Sequence, residues 1–347
     1  MRGGRSLSPS TDHDAAWREE FGRRFERLRF AVNLHPAEST AAATFESAAR
    51  SARAVATDSL PLGVAIVMHL YPLCALRCVP LPWWSAANLR RALLLRAIDR
   101  RSLILANAGS ERAAGAHEPV TVTRARDGVH INGVYEYMSL AHVANVVLFC
   151  APLAGSSCAM FCAADLNGES VRIGPSRFNG SMKLSDTCSV TFNNHYVPSH
   201  RCIEIPHEAA LNCMAQYQRS WFQLLLGESY LARIENLQRQ WNLPSPREQV
   251  ASLNELARLR EYALRLLDEA AKPSAVESLS RVTAAMKLRI SWLAQSTAAA
   301  LRGLDDTSAG ELGFLRLQPT SDERILRSLG AASPIAPPPL MATARSS

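Results

Sequence analysis

Two arginines in the C-terminal third have the side-chain type that binds phosphate groups. Arg239 and Arg324 carry planar guanidinium forks, which can bond two phosphate oxygens at once. The alternative, solvated arginines on helix faces, is equally open from the residues alone. An earlier basic run fits a solvated helix face better than a phosphate site. It comprises Arg90, Arg91, Arg96, Arg100 and Arg101.

Four possible metal ligands lie close together in the middle of the chain. They are His195, His200, Cys202 and His207. Their spacing matches no recognised zinc signature, so we predict no metal site. Gly303 and Gly310 follow no strand pattern, which argues against a dinucleotide-binding loop. The absence of a Gly-x-Ser-x-Gly segment argues against an α/β-hydrolase.

The composition is that of a globular protein without a strong charge signal. The chain has 347 residues, 48% of them hydrophobic and 20% charged, with a formal charge of +7. We therefore predict no nucleic-acid partner. The most apolar stretch, residues 60–84, contains prolines, a histidine and an arginine, so we predict no membrane span. Eight dispersed cysteines without a CxxC pair, and no signal-like start, predict reduced thiols and a cytoplasmic protein.

Three zones must position these residues. Helical spacing of apolar residues marks residues 15–117, and short β-branched runs with the turn dipeptides Asp127-Gly128 and Asn132-Gly133 mark residues 118–207. Helical stripes return over residues 208–330, the second of them built on Val250, Leu253, Leu256, Ala263 and Leu267. Residues 1–14 are predicted to be disordered, and residues 331–347 form a mobile, proline-rich tail. We predict an α+β chain, mainly α: a shortened N-terminal helical domain, a middle antiparallel β domain and a C-terminal helical bundle.

Four segments in a fixed order carry a family resemblance. Residues 104–112 read ILANAGSER, 127–145 read DGVHINGVYEYMSLAHVAN, 184–198 read LSDTCSVTFNNHYVP, and a glycine-rich close runs from Gly310 to Arg327. In this order they resemble the acyl-CoA dehydrogenases and their flavin-monooxygenase relatives. The most specific match is residues 184–198, which is similar to the family's Ser-Asp-Thr segment and the Phe-containing strand that follows it.

The resemblance implies FAD between the β domain and the bundle, with the pyrophosphate shared between subunits of an oligomer. It implies that Asn107 and Ser110 line the flavin, that Tyr137 replaces a flavin-contacting Trp, and that Ser139 replaces the Thr facing flavin N5. Arg239 and Arg324 fall at the cofactor-binding arginines. The substrate is implied to contact Asp186, Thr187 and Arg219.

The family's catalytic base is missing at both usual positions. A carboxylate must remove the α-proton of the acyl thioester, yet the two positions hold Gln218 and Ala331. A Gln amide cannot accept a proton at neutral pH. Glu228 and Glu311 are the remaining candidates.

Three functions therefore stay open. The first is an FAD-dependent dehydrogenase acting on an acyl thioester of CoA or of an acyl carrier protein. The second is a flavin-dependent monooxygenase, which needs no α-proton removal. The third is a non-catalytic or half-site subunit of a heteromeric complex.

Overall fold

The computed structural model describes residues 40–80, 85–101, 103–107, 120–178, 180–205, 208–244 and 246–317. The described chain begins with three helices, α1 (Ala41–Asp58), α2 (Leu60–Cys78) and α3 (Ala86–Arg101). Thr40 caps α1 by accepting a hydrogen bond from the amide of Ala43 at 3.1 Å. Pro61 lies in the first turn of α2, where a backbone N–H has no partner within the helix and its absence costs little.

Helices α1 and α2 pack closely because both present small residues at their contact. A Cβ at Gly63 would lie 2.5 Å from the Cβ of Ala56, so only glycine permits this approach. Helix α2 is long and apolar enough to span a membrane by length and composition, but 89% of its most apolar window is buried inside the protein. It is a core helix that packs against α1 and the later bundle.

Eight strands follow, arranged as two four-stranded sheets. Their bounds are β1 (Leu105–Asn107), β2 (Thr121–Ala125), β3 (Gly128–Met138), β4 (Val146–Pro152), β5 (Ala159–Asp165), β6 (Val171–Ser176), β7 (Cys188–Pro198) and β8 (Cys202–Ile205). One sheet has the order β1-β4-β5-β8 and the other β2-β3-β7-β6. All strand pairs are antiparallel except β1 with β4.

Three aromatic rings join the two sheets into one core. Tyr135 lies 5.5 Å from Phe149 and 6.4 Å from Phe192 between ring centroids, both in edge-on geometry. Because these rings come from β3, β4 and β7, they fix the two layers against each other. The turn expected at Asn132-Gly133 is absent: β3 continues through it as a bulge, with Gly133 at a φ of +126°.

Four helices complete the described fold: α4 (Glu208–Gln240), α5 (Arg247–Asp268), α6 (Pro273–Leu301) and the short α7 (Asp306–Gly313). Helix α4 packs against α1, α2 and α6, so the first and last helices form a single bundle. The prediction of an α+β chain, mainly α, is confirmed. The predicted stripe of α5 is wrong at Val250 and Leu253, which are exposed, and correct at Leu256, Ala263 and Leu267.

Candidate functional site

An exposed aromatic corner lies where the second sheet meets the end of the bundle. Tyr137, the penultimate residue of β3, is 50% exposed and stacks on Phe178 at 6.1 Å between ring centroids. Phe178 follows β6 and meets Phe314, just after α7, at 4.8 Å in edge-on geometry. One face of the Tyr137 ring therefore packs on Phe178, which Phe314 supports in turn, and the exposed half of the side chain can contact a planar ligand.

The hydroxyl of Ser139, two residues further on, points into a buried chain of hydroxyl groups. Its Oγ lies 2.8 Å from Oγ1 of Thr187, which lies 2.9 Å from Oγ of Ser185. Ser185 donates its only proton to the carbonyl of Met182 at 2.9 Å. Each hydroxyl has one proton, so Thr187 must donate to Ser185 and Ser139 to Thr187. In this arrangement the proton of Ser139 is engaged, and its oxygen retains the capacity to accept one more hydrogen bond.

Asp186 holds the turn that carries Ser139. Its Oδ2 accepts the backbone amide of His142 at 2.8 Å, and its Oδ1 lies 2.7 Å from Nδ1 of the same histidine. The backbone amides of Leu140 and Ala141 also donate to the carbonyls of Ser185 and Asp186. Asp186 is buried and both its oxygens are engaged. The structure therefore gives it a positioning contact, whereas its predicted substrate contact stays a prediction, as does that of Thr187.

Cys188 lies beside this pair and completes a cluster that the sequence analysis missed. Its Sγ is 3.7 Å from Nδ1 of His142 and 3.9 Å from Oδ1 of Asp186. The only sequence signal was Asp186-x-Cys188, because His142 lies 44 residues before Asp186. Strands β3 and β7 bring them together, since Met138 pairs with Cys188.

The four possible metal ligands considered from the sequence have other contacts or lie outside the described residues. Nδ1 of His195 lies 2.8 Å from Oγ of Ser170. Cys202 lies directly opposite Cys162 on β5, with their sulfurs 3.9 Å apart. His200 is exposed, and His207 lies outside the described residues. All eight cysteines lie within the described residues as thiols.

The candidates on α4 are too far apart to share a small site. Gln218 and Arg239 are 21 positions apart on this helix, which at about 1.5 Å per residue is about 32 Å. Gln218 is half-buried, while Arg219 and Arg239 are exposed. A site that uses both ends of α4 must therefore bind an extended ligand or more than one subunit.

Glu228 lies between two guanidinium groups inside the bundle. Its Oε1 accepts from Nε of Arg260 at 2.6 Å, and its Oε2 accepts from Arg53 on α1 at 3.0 Å. The two arginines also pair with Glu46 and Glu235. Glu228 therefore belongs to an ion-pair network that ties α1, α4 and α5 together.

Glu311 on α7 differs from Glu228, because one of its carboxylate oxygens accepts no hydrogen bond from a described residue. Its Oε2 is buried without a hydrogen-bond partner among the described residues and lies 3.6 Å from the guanidinium of Arg233. Burial raises the pKa of Glu311, Arg233 opposes that effect, and Asp305 adds to it. The hydroxyl of Tyr230 is also buried without a described partner, and the charge of Glu311 adds to the burial that raises the pKa of Tyr230. Glu311 thus has a feature expected of a proton acceptor.

A cavity of about 840 Å³ lies elsewhere, between α1, α2, α3 and the end of α5. Arg91, Arg96 and Arg100 of the basic run line it, together with Arg77. Arg77 pairs with Asp99, and Arg91 donates to the carbonyls of Arg77 and Val79. These two arginines stabilise the end of α2.

Three positions of the predicted site lie outside the described residues: Ser110, Arg324 and Ala331, the last of which is a usual position of the family's catalytic base. Asn107 is described through its backbone, which pairs with Leu148 on the neighbouring strand. The predicted roles of these residues stay predictions.

The fold is similar to that of several solved flavoproteins, although no family model and no curated protein matches the sequence. Butyryl-CoA dehydrogenase from Megasphaera elsdenii is 12% identical, with a TM-score of 0.64 over 94% of this chain and 98% of that one. The FAD complex of PigA is 16% identical, with a TM-score of 0.64 over 95% and 99%. FMN-bound TdsC from Paenibacillus sp. A11-2 is 17% identical, with a TM-score of 0.62 over 92% and 89%. The chain therefore has the acyl-CoA dehydrogenase fold, which confirms the resemblance at the level of the fold.

Proposed function

We propose that this chain is a flavin-dependent oxidoreductase that acts on an acyl thioester of CoA or of an acyl carrier protein. The observation that carries the proposal is the exposed face of Tyr137, supported by Phe178 at the junction of sheet and bundle. Its position in the sequence is that of the family's flavin-contacting Trp. Structures with this fold hold FAD in PigA and FMN in TdsC.

The residues present fit a flavin at this corner. The ring of Tyr137 provides a stacking surface, and Ser139, two residues further on, has an oxygen that can accept a hydrogen bond. By the family resemblance, Asn107 and Ser110 would line the ring, and Arg239 and Arg324 would bind the pyrophosphate. When bound, a flavin supplies a ring that takes a hydride equivalent from an acyl substrate or passes electrons to oxygen.

The proton acceptor decides which reaction follows. Gln218 cannot take a proton, and Glu228 is bonded by guanidinium groups on both oxygens. If Glu311 is the base, α,β-dehydrogenation is possible, and its raised pKa supports that role. If it is not, the absence of a carboxylate at position 218 favours the monooxygenase type of reaction, because that reaction removes no α-proton.

Flavin binding is tested first, on the purified protein titrated with FAD and with FMN. We expect Tyr137→Leu to weaken flavin binding at least tenfold, because the stacking surface is lost. Tyr196→Leu is the matched control, because Tyr196 on β7 is 45% exposed and Tyr137 is 50% exposed. Equal affinities for the two variants would overturn the assignment of the corner as the flavin site.

Two assays then separate the reactions. Bleaching of the flavin by an acyl-CoA under anaerobic conditions would support dehydrogenation, and its loss in Glu311→Gln would identify the base. Substrate-dependent product hydroxylation with reduced flavin and oxygen would support the monooxygenase. A protein that binds flavin but does neither across a panel of thioesters would contradict the proposed activity and support the half-site subunit.

A further inference from the structure

Three side chains with metal-binding atoms converge where the turn after β3 meets the start of β7. Nδ1 of His142, Oδ1 of Asp186 and Sγ of Cys188 all lie within 4.8 Å of one another. We propose that they bind a thiophilic divalent cation, Zn²⁺ being the natural choice. The proposal goes beyond flavin binding and does not depend on it.

The spacing of the three atoms is close to that required around zinc. Bonds of about 2.3 Å to sulfur and about 2.0–2.2 Å to nitrogen and oxygen place tetrahedral ligands about 3.3–3.6 Å apart. The two distances from Cys188 are 3.7 and 3.9 Å. The third, 2.7 Å between His142 and Asp186, is a hydrogen bond that must open by about 0.6 Å.

The ligand types also suit zinc. One thiolate, one imidazole and one carboxylate are all preferred by this ion, and three protein ligands leave a fourth position for water. Cys188 and Asp186 are buried, whereas the His142 side chain is 27% exposed. The cluster is therefore enclosed on the protein side and open at the histidine, which gives an ion a route of entry.

The backbone holds two of the ligands in place before any ion binds. Asp186 adopts a φ of +49° and Leu140 a φ of +62°, a region that non-glycine residues rarely occupy. The amide of His142 fixes the second carboxylate oxygen of Asp186 at 2.8 Å. Such outer hydrogen bonds orient ligating carboxylates in known metal sites.

Binding changes the protonation of the cluster in a defined way. The Cys188 thiol loses its proton to solvent and forms a sulfur–metal bond. The proton on Nδ1 of a neutral His142 moves through solvent to Nε2, which frees Nδ1 to bind the ion. The ion then ties residues 139–144 to the start of β7 and so fixes the turn that carries Ser139.

Cobalt(II) titration of the purified full-length protein tests the proposal directly. We expect one equivalent of Co²⁺ to produce a thiolate-to-cobalt charge-transfer band with visible bands of tetrahedral cobalt. Cys188→Ser should abolish the charge-transfer band, and His142→Gln and Asp186→Asn should weaken binding at least tenfold. Cys213→Ser and His200→Gln, at a half-buried thiol and an exposed histidine elsewhere, are the matched controls and should bind as wild type does.

Thermal unfolding with and without Zn²⁺ is the second measurement, and it also shows whether each variant folds. A cation that binds only the folded protein raises the midpoint temperature of unfolding by mass action. We expect a rise of a few degrees in wild type and Cys213→Ser, and none in Cys188→Ser. Absence of a charge-transfer band at saturating Co²⁺, or its persistence in Cys188→Ser, would overturn the site. Neither readout involves flavin, so failure here is distinguishable from failure of the proposed oxidoreductase.

Discussion

Thr187 is the central member of the buried hydroxyl chain, since it accepts from Ser139 and donates to Ser185. Thr187→Val keeps the shape but leaves the hydroxyl of Ser139 buried without a partner. Such a group costs about 1–3 kcal/mol. We therefore expect the free energy of unfolding in urea to fall by about that amount.

The matched control is Thr191→Val, the same change four residues after Thr187, at a half-buried position on β7. It should change stability by less than about 0.5 kcal/mol. If both substitutions cost the same, the hydroxyl chain does not stabilise the turn.

Glu311 makes the stability of the fold depend on pH. Because burial raises its pKa, the folded state holds the proton more tightly than the unfolded chain does. Its stabilising contribution is therefore full below the unfolded pKa of a glutamate and is lost as the pH rises through the folded pKa. The charge of Arg233 limits this loss but does not reverse it.

Glu311→Gln removes the titrating group and should change the shape of the pH profile. We expect wild type to lose stability relative to the variant as the pH rises from about 4 to 7. Urea unfolding at several pH values measures the difference. A constant difference across that range would mean that Glu311 has an ordinary pKa in the folded protein.

At the scale of elements, Glu228 joins three helices. Breaking a buried ion pair from one side costs about 3–5 kcal/mol, and the remaining partners Glu46 and Glu235 reduce that cost here. We expect Glu228→Gln to destabilise the protein by about 2 kcal/mol in urea unfolding. Flavin affinity and turnover per folded molecule should be unchanged, because both carboxylate oxygens are bonded by arginines.

The control for this change is Glu277→Gln, which breaks an exposed pair with Arg281 and should cost less than about 0.5 kcal/mol. If Glu228→Gln instead leaves stability intact and abolishes turnover, Glu228 is the catalytic base.

The order of elements was predictable because helices and strands have different apolar periods. The helical spacing of Leu256, Ala263 and Leu267 identified the buried face of α5 correctly. Val250 and Leu253 belong to the same period but lie beyond the edge of that face, exposed. The spacing of apolar residues predicts a helix and the direction of its buried face. How far that face extends along the helix depends on which elements pack against it.

A candidate residue can be predicted from the sequence where it belongs to a local motif, but not where it depends on strand pairing. Tyr137 and Ser139 were identified from one continuous segment, and their predicted contacts with a flavin stay predictions. The contact between His142 and Cys188, which lie 46 positions apart in the sequence, arises because β3 pairs with β7. The ion pairs of Glu228 likewise connect residues that no short motif links.

Across the whole molecule, the second sheet and the end of the bundle meet at the aromatic corner, while Gln218 and Arg239 lie 21 positions apart on α4. A ligand that contacts both Gln218 and Arg239 must be extended, as FAD is, or must be shared between subunits. The predicted oligomer would meet that need, and it stays a prediction. The shortened N-terminal domain lies partly outside the described residues and stays a prediction as well.

Flavin binding at the aromatic corner is best tested by the visible absorption spectrum of the purified protein, before and after supply of FAD and FMN. We expect the absorption bands of a bound flavin that stays with the protein through gel filtration, near one flavin per chain. Tyr137→Leu should lose that flavin, and Tyr196→Leu should keep it. A wild-type protein that stays colourless after incubation with both flavins would show that the chain is not a flavoprotein.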